Sequence, residues 1–527
     1  MPKLIIDNQN VEVPEGATIL DAARKLGIEI PTLCCRDGQK PNTTCMVCLV
    51  RLTGSGKLIP SCAAPAVDGM VIESETEEVH EARKTALELL LSDHLGDCQA
   101  PCHGICPAGM NIPLMIRQIQ RRQLAEAIRT VKADIAIPAV LGRICPEICE
   151  RGCRRGQDDK PVSICLLKRY VADVDLASGD PYTPPVGVQS SRSVAIVGAG
   201  PAGLAAAYYL RQFGHSVTIF DDHDQPGGAL RYGIEREKLP IDVLEAEIAT
   251  LERLGWKFRG NTRIDSAGAL DQLADEFDAV FLGVGEMAEA AARSLGLEHT
   301  GRGLQVDRQT LQTSRPGVWA GGDAVRPNRK AVMAAGDGKT AAVAIDQCLR
   351  GVEITGRPKR FSVHIGRLAE GEAAEFSAEA ADAPRQELDS KTGPGFTDDQ
   401  ARLEAARCLH CDCRKPQSCR LRQLAEQMGA SAARLGQDRR RFIQAREGRL
   451  IHERGKCISC GICIQVAGEH GEQLGLTFTG RGYSSGVGAG FGRPMLDGLA
   501  NSADQAVAAC PTGALAWQDM EEASADS

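Results

Sequence analysis

Twenty-one cysteines in 527 residues constrain this fold more than any other feature, because all but Cys348 fall into four groups. Cys34, Cys45, Cys48 and Cys62 form the first, with Cys35 beside its first member, and seven more lie between Cys98 and Cys165. Cys408, Cys411, Cys413 and Cys419 form the third group, and Cys457, Cys460, Cys463 and Cys510 the fourth. A net charge of −8, from 61 basic and 69 acidic residues, argues against nucleic acid as the main partner. No apolar run reaches the ~18–20 residues that span a bilayer, and the opening MPKLIIDNQNVEVPEG lacks the apolar stretch of a signal peptide. A cytoplasmic protein is therefore expected. In that reducing compartment disulfides are disfavoured, and grouped thiols point to metal or cluster binding. Cys348, in the helical stretch AAVAIDQCL, is expected as a buried apolar thiol.

At this length several domains are expected, since single cores rarely exceed about 250–300 residues. Residues 1–78 alternate β-like runs with one helix, ATILDAARKLG, and residues 79–176 turn helical, with apolar spacings of three and four. A Pro/Gly/Ser-rich linker covers 177–191 and an α/β domain 192–360. A connector is placed at 361–395, and residues 369–400, rich in Ala and Glu with Gly and Pro, are expected to be loosely ordered. A cysteine-rich segment at 396–440, a further cluster module at 441–518 and an acidic tail at 519–527 complete the chain. The predicted fold class is multidomain, α+β and α/β.

SVAIVGAGPAGL places Gly198, Gly200 and Gly203 between a β-run and a helix, the arrangement that brings backbone and a helix N-terminus up to a pyrophosphate. Asp221 ends the next strand, where an acid meets a ribose hydroxyl. The segments PGGALRYGIEREKLP and RPGVWAGGDAV resemble the glutamate synthase small-subunit family of flavoproteins. The resemblance implies FAD, with Gly227, Gly228, Arg231, Gly322 and Asp323 among the binding residues. It also implies a helix from near Lys330 whose positive end faces the flavin. Such flavoproteins carry a second Rossmann domain for NAD(P)H, and Gly283-x-Gly285-x-x-Ala288 offers a candidate start. Only about 35 residues separate Ala288 from Asp323, close to the ~30 of a single βαβ unit. The expectation is an FAD domain without that insertion.

The spacing Cys34-x10-Cys45-x2-Cys48-x13-Cys62 in a β-rich module suits one 2Fe-2S centre, with zinc as the alternative. It resembles the N-terminal domain of the complex I large iron–sulfur subunit and related formate dehydrogenase and hydrogenase subunits, which implies a β-grasp ferredoxin fold. SDHLGDCQAPCHGICPAG, RICPEICERGCRRG and PVSIC resemble the helical double-cluster domain of glutamate synthase small subunit and dihydropyrimidine dehydrogenase. By that resemblance Cys98, Cys102 and Cys153 hold one 4Fe-4S centre, and Cys106, Cys145 and Cys149 another. Cys165 stands near the position of the second set's fourth ligand. The first set lacks the family's upstream C-x2-C, and His94, four residues before Cys98, stands as in the His-ligated cluster of the complex I subunit. A solvent-facing helix-end histidine is the alternative for His94. Cys408, Cys411, Cys413 and Cys419 crowd closely enough to demand a metal, either a 4Fe-4S cluster or zinc, and the neighbouring redox modules favour the cluster.

Two-cluster ferredoxins repeat C-x2-C-x2-C-x3-C-P, each fourth cysteine serving the other cluster. Here Cys457, Cys460, Cys463 and Cys510 make one complete set, while Ala467, Ala500, Ala503 and Ala506 occupy every ligand position of its twin. A ferredoxin-like domain with one 4Fe-4S cluster lost is expected. The count is then FAD, one 2Fe-2S and three or four 4Fe-4S centres. No nucleophile–base pair stands out, so the chemistry belongs to the cofactors. The resemblances imply an electron-transfer subunit of a larger oxidoreductase, partnered by a formate dehydrogenase- or hydrogenase-like catalytic subunit or another electron-transfer protein. A self-sufficient NAD(P)H or small-substrate oxidoreductase and a structural iron–sulfur scaffold are the alternatives.

Overall fold

A computed structural model describes residues 1–378, 380–388, 393–436 and 439–518; the acidic tail lies outside the described residues. The chain divides into two units, and the division is not linear. The first unit contains residues 1–100, 360–378 and 411–527, and the second residues 101–359 and 379–410.

The first unit opens with a five-stranded mixed sheet, β1 (Lys3–Ile6), β2 (Gln9–Glu12), β3 (Leu49–Leu52), β4 (Lys57–Pro60) and β5 (Val71–Glu73), in the order β2-β1-β5-β3-β4. Leu4 and Ile6 point alternately from β1 into a core with Val11, Ile19, Leu20 and Ile72. The helix Ile19–Lys25 crosses that core and starts at Thr18 in a capping box with Asp21. A long helix, Glu77–Ser92, follows, capped by Thr76.

In the second unit the helical module runs from Pro101–Ile105 to Ile164–Ala177. The stretch 112–134 forms two helices, Ile112–Gln120 and Leu124–Asp134, separated where Arg122 takes a left-handed φ of +60°. Next comes a parallel sheet of β6 (Ser193–Val197), β7 (Ser216–Phe220), β8 (Lys257–Arg259), β9 (Ala279–Leu282) and β10 (Val318–Ala320), ordered β10-β9-β6-β7-β8. The order reverses at β6, the switch point where open α/β sheets bind ligands. The helices Pro201–Gln212 and Ala331–Leu349 pack together on one face.

The C-terminal part of the first unit has a three-stranded antiparallel sheet, β11 (Gln444–Glu447), β12 (Leu450–Glu453) and β15 (Leu515–Trp517), and a hairpin, β13 (Leu476–Thr479) with β14 (Gly486–Ala489). Helices Ile462–Glu469 and Ala503–Ala509 pack against each other. The connector contains one short helix among its described residues. Residues 372–377 form a helix whose Phe376 stacks on Phe442 at 4.3 Å, and whose buried Glu372 pairs with Arg439 and accepts the Phe442 N–H at 2.7 Å. Burial of one ring and one fully satisfied carboxylate supplies the order that composition does not reveal.

Candidate functional site

Cys34, Cys45, Cys48 and Cys62 are all buried, each at most 3 % exposed, in the loops flanking β3 and β4. Left-handed backbone at Thr43 and Met46 folds the loop so that its thiols converge. Cys34 is hydrogen-bonded to Cys45, which lowers its pKa to about 5, and Cys48 to Cys62, which lowers it to about 7. The same two hydrogen bonds push the Cys45 and Cys62 thiols up, so they mark the closeness of the four sulfurs. Burial instead pushes the Cys35 thiol up.

The second site of the first unit is assembled from distant sequence. An isolated parallel bridge joins Asp97 to Asp412, setting Cys98 next to Cys413 in space. Cys98, Cys413 and Cys419 are buried and act electrostatically on one another. Cys98 Sγ accepts the Val363 N–H at 3.5 Å. In the same neighbourhood His94 keeps its Nδ1 shielded from solvent and without a hydrogen-bond partner. Burial, assisted by the charge of Lys456, lowers the His94 pKa to about 3, so the ring is a neutral imidazole. A buried nitrogen with no partner is uncommon and suits a metal ligand. Cys98 thus stands with Cys413 and Cys419 in the first unit, whereas Cys102 and Cys153, its expected companions, belong to the second. Sequence spacing could not show this, because the second unit interrupts the set.

In the second unit Cys106, Cys145, Cys149 and Cys165 line one cavity together with Lys168. Cys145 is hydrogen-bonded to Cys165, and Cys165 to Cys149, while the Cys165 N–H donates to the Glu150 carboxylate at 3.0 Å. Cys153 precedes a short turn whose Arg155 donates to the Arg407 carbonyl at 3.4 Å. Arg407, fully buried, pairs with Asp159 at 2.7 Å and Glu404 at 3.0 Å. That network holds Cys408, the next residue, close to the Cys153 turn. Cys102 sits in the helix Pro101–Ile105, which packs on the helix Ile148–Arg151 just before Cys153.

Cys457, Cys460, Cys463 and Cys510 line another cavity with Ile458 and Met495. A left-handed Gly461 (φ +73°) starts the helix that carries Cys463. Cys510 caps the end of helix Ala503–Ala509, where the buried Lys415 donates to the carbonyls of Val507 and Cys510. A cation there complements the helix dipole. Of the four alanines, Ala467 and Ala506 are fully buried, Ala503 is half-buried and Ala500 is exposed.

Gly198, Gly200 and Gly203 lie at the C-terminal end of β6, and Gly200 caps the helix Pro201–Gln212. A Cβ at Gly203 would stand 1.9 Å from the Gly198 carbonyl oxygen, so only glycine lets helix and strand approach this closely. Asp221, at the end of β7, accepts the Ala199 N–H at 2.6 Å and the His223 N–H at 3.0 Å. Gly227 donates its N–H to Ala199 O at 3.0 Å, and Gly228 caps the helix Ala229–Tyr232. Arg231 on that helix pairs with Glu245 at 3.1 Å. Gly322 donates to Asp337 at 3.0 Å, and Asp323 accepts the Asn328 and Arg329 N–H groups at 3.1 Å. Gly283 and Gly285 follow β9 of the same sheet, and among the described residues there is no second parallel sheet. Asp337, which fastens the Gly322 turn, and the buried lysines 168 and 456 carry no sequence signal beyond their place beside cysteines or glycines.

Such modules define a multidomain protein with ferredoxin-type 2Fe-2S and 4Fe-4S domains and a Rossmann-like domain. Residues 3–77 match the family model of the 2Fe-2S iron–sulfur cluster binding domain. Residues 74–180 match that of dihydropyrimidine dehydrogenase domain II, 4Fe-4S cluster, and residues 196–245 that of the NAD(P)-binding Rossmann-like domain. Among similar proteins, the NADP(+)-dependent formate dehydrogenase subunit beta of Moorella thermoacetica is 39% identical over 207 residues, 35% of this chain and 29% of the relative. The NAD-dependent dihydropyrimidine dehydrogenase subunit PreT of Salmonella typhimurium is 34% identical over 278 residues, 52% of this chain and 64% of the relative. The NADPH glutamate synthase small chain of Mycobacterium tuberculosis is 35% identical over 193 residues, 36% of this chain and 40% of the relative. The chain therefore spans less than two thirds of the length of each. No helix among the described residues is long and apolar enough to cross a membrane.

Proposed function

We propose that this chain is an electron-transfer flavoprotein and iron–sulfur subunit of a multisubunit cytoplasmic oxidoreductase, with the substrate half-reaction on a formate dehydrogenase- or hydrogenase-like partner. One observation carries the reading: the helix Ala331–Leu349 lies at once against the dinucleotide cradle, through Asp337 and Gly322, and against the cysteine loop at Pro107. A flavin site and a thiol set thus share one rigid element.

The residues fit the groups assigned to them. The glycine cradle at the end of β6 suits the FAD pyrophosphate, Asp221 ends the neighbouring strand β7, and the thiols of each set are buried or half-buried. Cys34, Cys45, Cys48 and Cys62 would hold a 2Fe-2S centre. His94, Cys98, Cys413 and Cys419 would hold one 4Fe-4S centre, Cys106, Cys145, Cys149 and Cys165 a second, and Cys457, Cys460, Cys463 and Cys510 a third. Cys102, Cys153 and Cys408 contribute to a fourth. When bound, FAD exchanges electrons in pairs or singly and the clusters exchange them one at a time. The chain's own residues bury the thiols, exclude water around them and set their charge environment through Lys168, Lys415 and Lys456.

Anaerobically purified protein is expected to contain one FAD and about 18 iron atoms per chain, to show no steady-state diaphorase activity with NADH or NADPH, and to bring down a redox subunit from the native cell. Diaphorase turnover by the isolated chain would replace this reading with a self-sufficient enzyme. Centres that cannot be reduced in an EPR-monitored titration would replace it with a structural scaffold.

A further inference from the structure

Lys168 is 3 % exposed, yet among the described residues it forms no ion pair with a carboxylate. Its ammonium donates to the Leu141 carbonyl at 3.2 Å and to Cys165 Sγ at 3.8 Å. Glu150, which accepts the Cys165 N–H, is already paired with Arg385 at 2.8 Å. Lys168 lines the same cavity as the four thiols of Cys106, Cys145, Cys149 and Cys165. A buried ammonium without a counter-charge is strongly disfavoured. Neutral thiols do not supply that charge, whereas thiolates on a metal cluster do. Lys168 stands one helical turn after Cys165, on the same face of the helix Ile164–Ala177.

We propose that Lys168 is the internal counter-ion of a 4Fe-4S cluster held by Cys106, Cys145, Cys149 and Cys165, and that it raises the reduction potential of this centre. The inference rests on the cluster assignment made above. A 4Fe-4S core on four thiolates is anionic and gains one further negative charge when it takes up one electron, with no bond made or broken. A fixed positive charge at hydrogen-bond range of one sulfur stabilises the more negative state. The centre so tuned is the one whose cavity includes Val332, in the first turn of the helix beside the dinucleotide cradle. A Cβ at Gly336 on that helix would stand 2.7 Å from Pro107 O, so the helix lies directly on the loop that follows Cys106.

EPR-monitored redox titration of the full chain, wild type against Lys168→Met and Lys168→Arg, tests the role. In Lys168→Met one 4Fe-4S signal should become at least tenfold harder to reduce, a downward shift of about 59 mV for one electron, while the other signals stay in place. Lys168→Arg should retain most of the wild-type potential. Unmoved potentials in Lys168→Met, with its cluster content intact, overturn the proposal. Should Lys168→Met lose iron, the decision passes to protein grown with 15N-lysine. Pulsed EPR should then show a lysine nitrogen coupling that disappears in Lys168→Arg, and a coupling pattern identical in both proteins overturns the proposal. Cys165→Ser separates the two levels: if it leaves iron content and every signal unchanged, the cluster assignment itself falls.

Discussion

Placing cysteine at 467, 500, 503 and 506 together asks whether the second cubane expected of a two-cluster ferredoxin would find space here. Ala467 and Ala506 are both 0 % exposed, within the core that contains Val466, Leu499 and Val507. Neither methyl group meets solvent, so in a close-packed core an added sulfur must push something aside. Overpacking of this kind costs about 1–3 kcal/mol at each site. The two buried positions together cost about 2–6 kcal/mol, against a total stability of about 5–15 kcal/mol for a typical domain. Ala503 is half-buried and Ala500 exposed, so they add little. The quadruple variant is therefore expected to fold with a lowered melting temperature and to bind no additional cluster. Iron analysis after anaerobic reconstitution, with the melt followed by circular dichroism, reads both quantities. A gain of four irons per chain at an unchanged melting temperature would refute the reasoning, because it would show that the core still accommodates a cubane.

Gly203→Ala forces its new methyl against the Gly198 carbonyl, and the purified variant should hold less than a tenth of the wild-type FAD while keeping its full iron content. His94→Ala should alter the spectrum of one 4Fe-4S centre or remove its four irons, whereas an iron content and EPR spectrum identical to wild type would show that the imidazole is not a ligand. The Arg439 guanidinium, helped by backbone N–H groups, lowers the Glu372 pKa from 4.5 to about 2. That difference contributes about 3 kcal/mol. Because the folded pKa is the depressed one, this stability is complete above the unfolded pKa of 4.5 and disappears as pH falls toward 2. Glu372→Gln should therefore unfold at lower urea than wild type at pH 7, with the gap narrowing below about pH 4.5; a gap independent of pH would contradict the linkage.

Much of this molecule is readable from spacing alone. Cys34-x10-Cys45-x2-Cys48 and Cys457-x2-Cys460-x2-Cys463 are local, and local thiols converge through tight turns that the intervening residues permit. The strand–glycine–helix run at 193–212 is equally local, and its periodicity announces it. Long-range partnership is different in kind. Cys98 meets Cys413 because Asp97 pairs with Asp412, a contact with no periodic signature at either end. Composition gives no sign of the helix at 372–377, which one stacked phenylalanine and one satisfied glutamate hold in place. The buried lysines escaped notice for a related reason: a lysine three residues from a cysteine on a helix looks like any surface lysine until its surroundings are known.

The bridge between Asp97 and Asp412 also bears on biogenesis. Cys98 leaves the ribosome about 315 residues before Cys413, an interval of about 15–60 s at ordinary synthesis rates of about 5–20 residues per second. Throughout that interval His94 and Cys98 are without the thiols that the proposed set places beside them. On the proposed assignment of His94, Cys98, Cys413 and Cys419 to one cluster, delivery of iron and sulfide to this position follows translation, and a chain halted before residue 413 would carry a half-built ligand set.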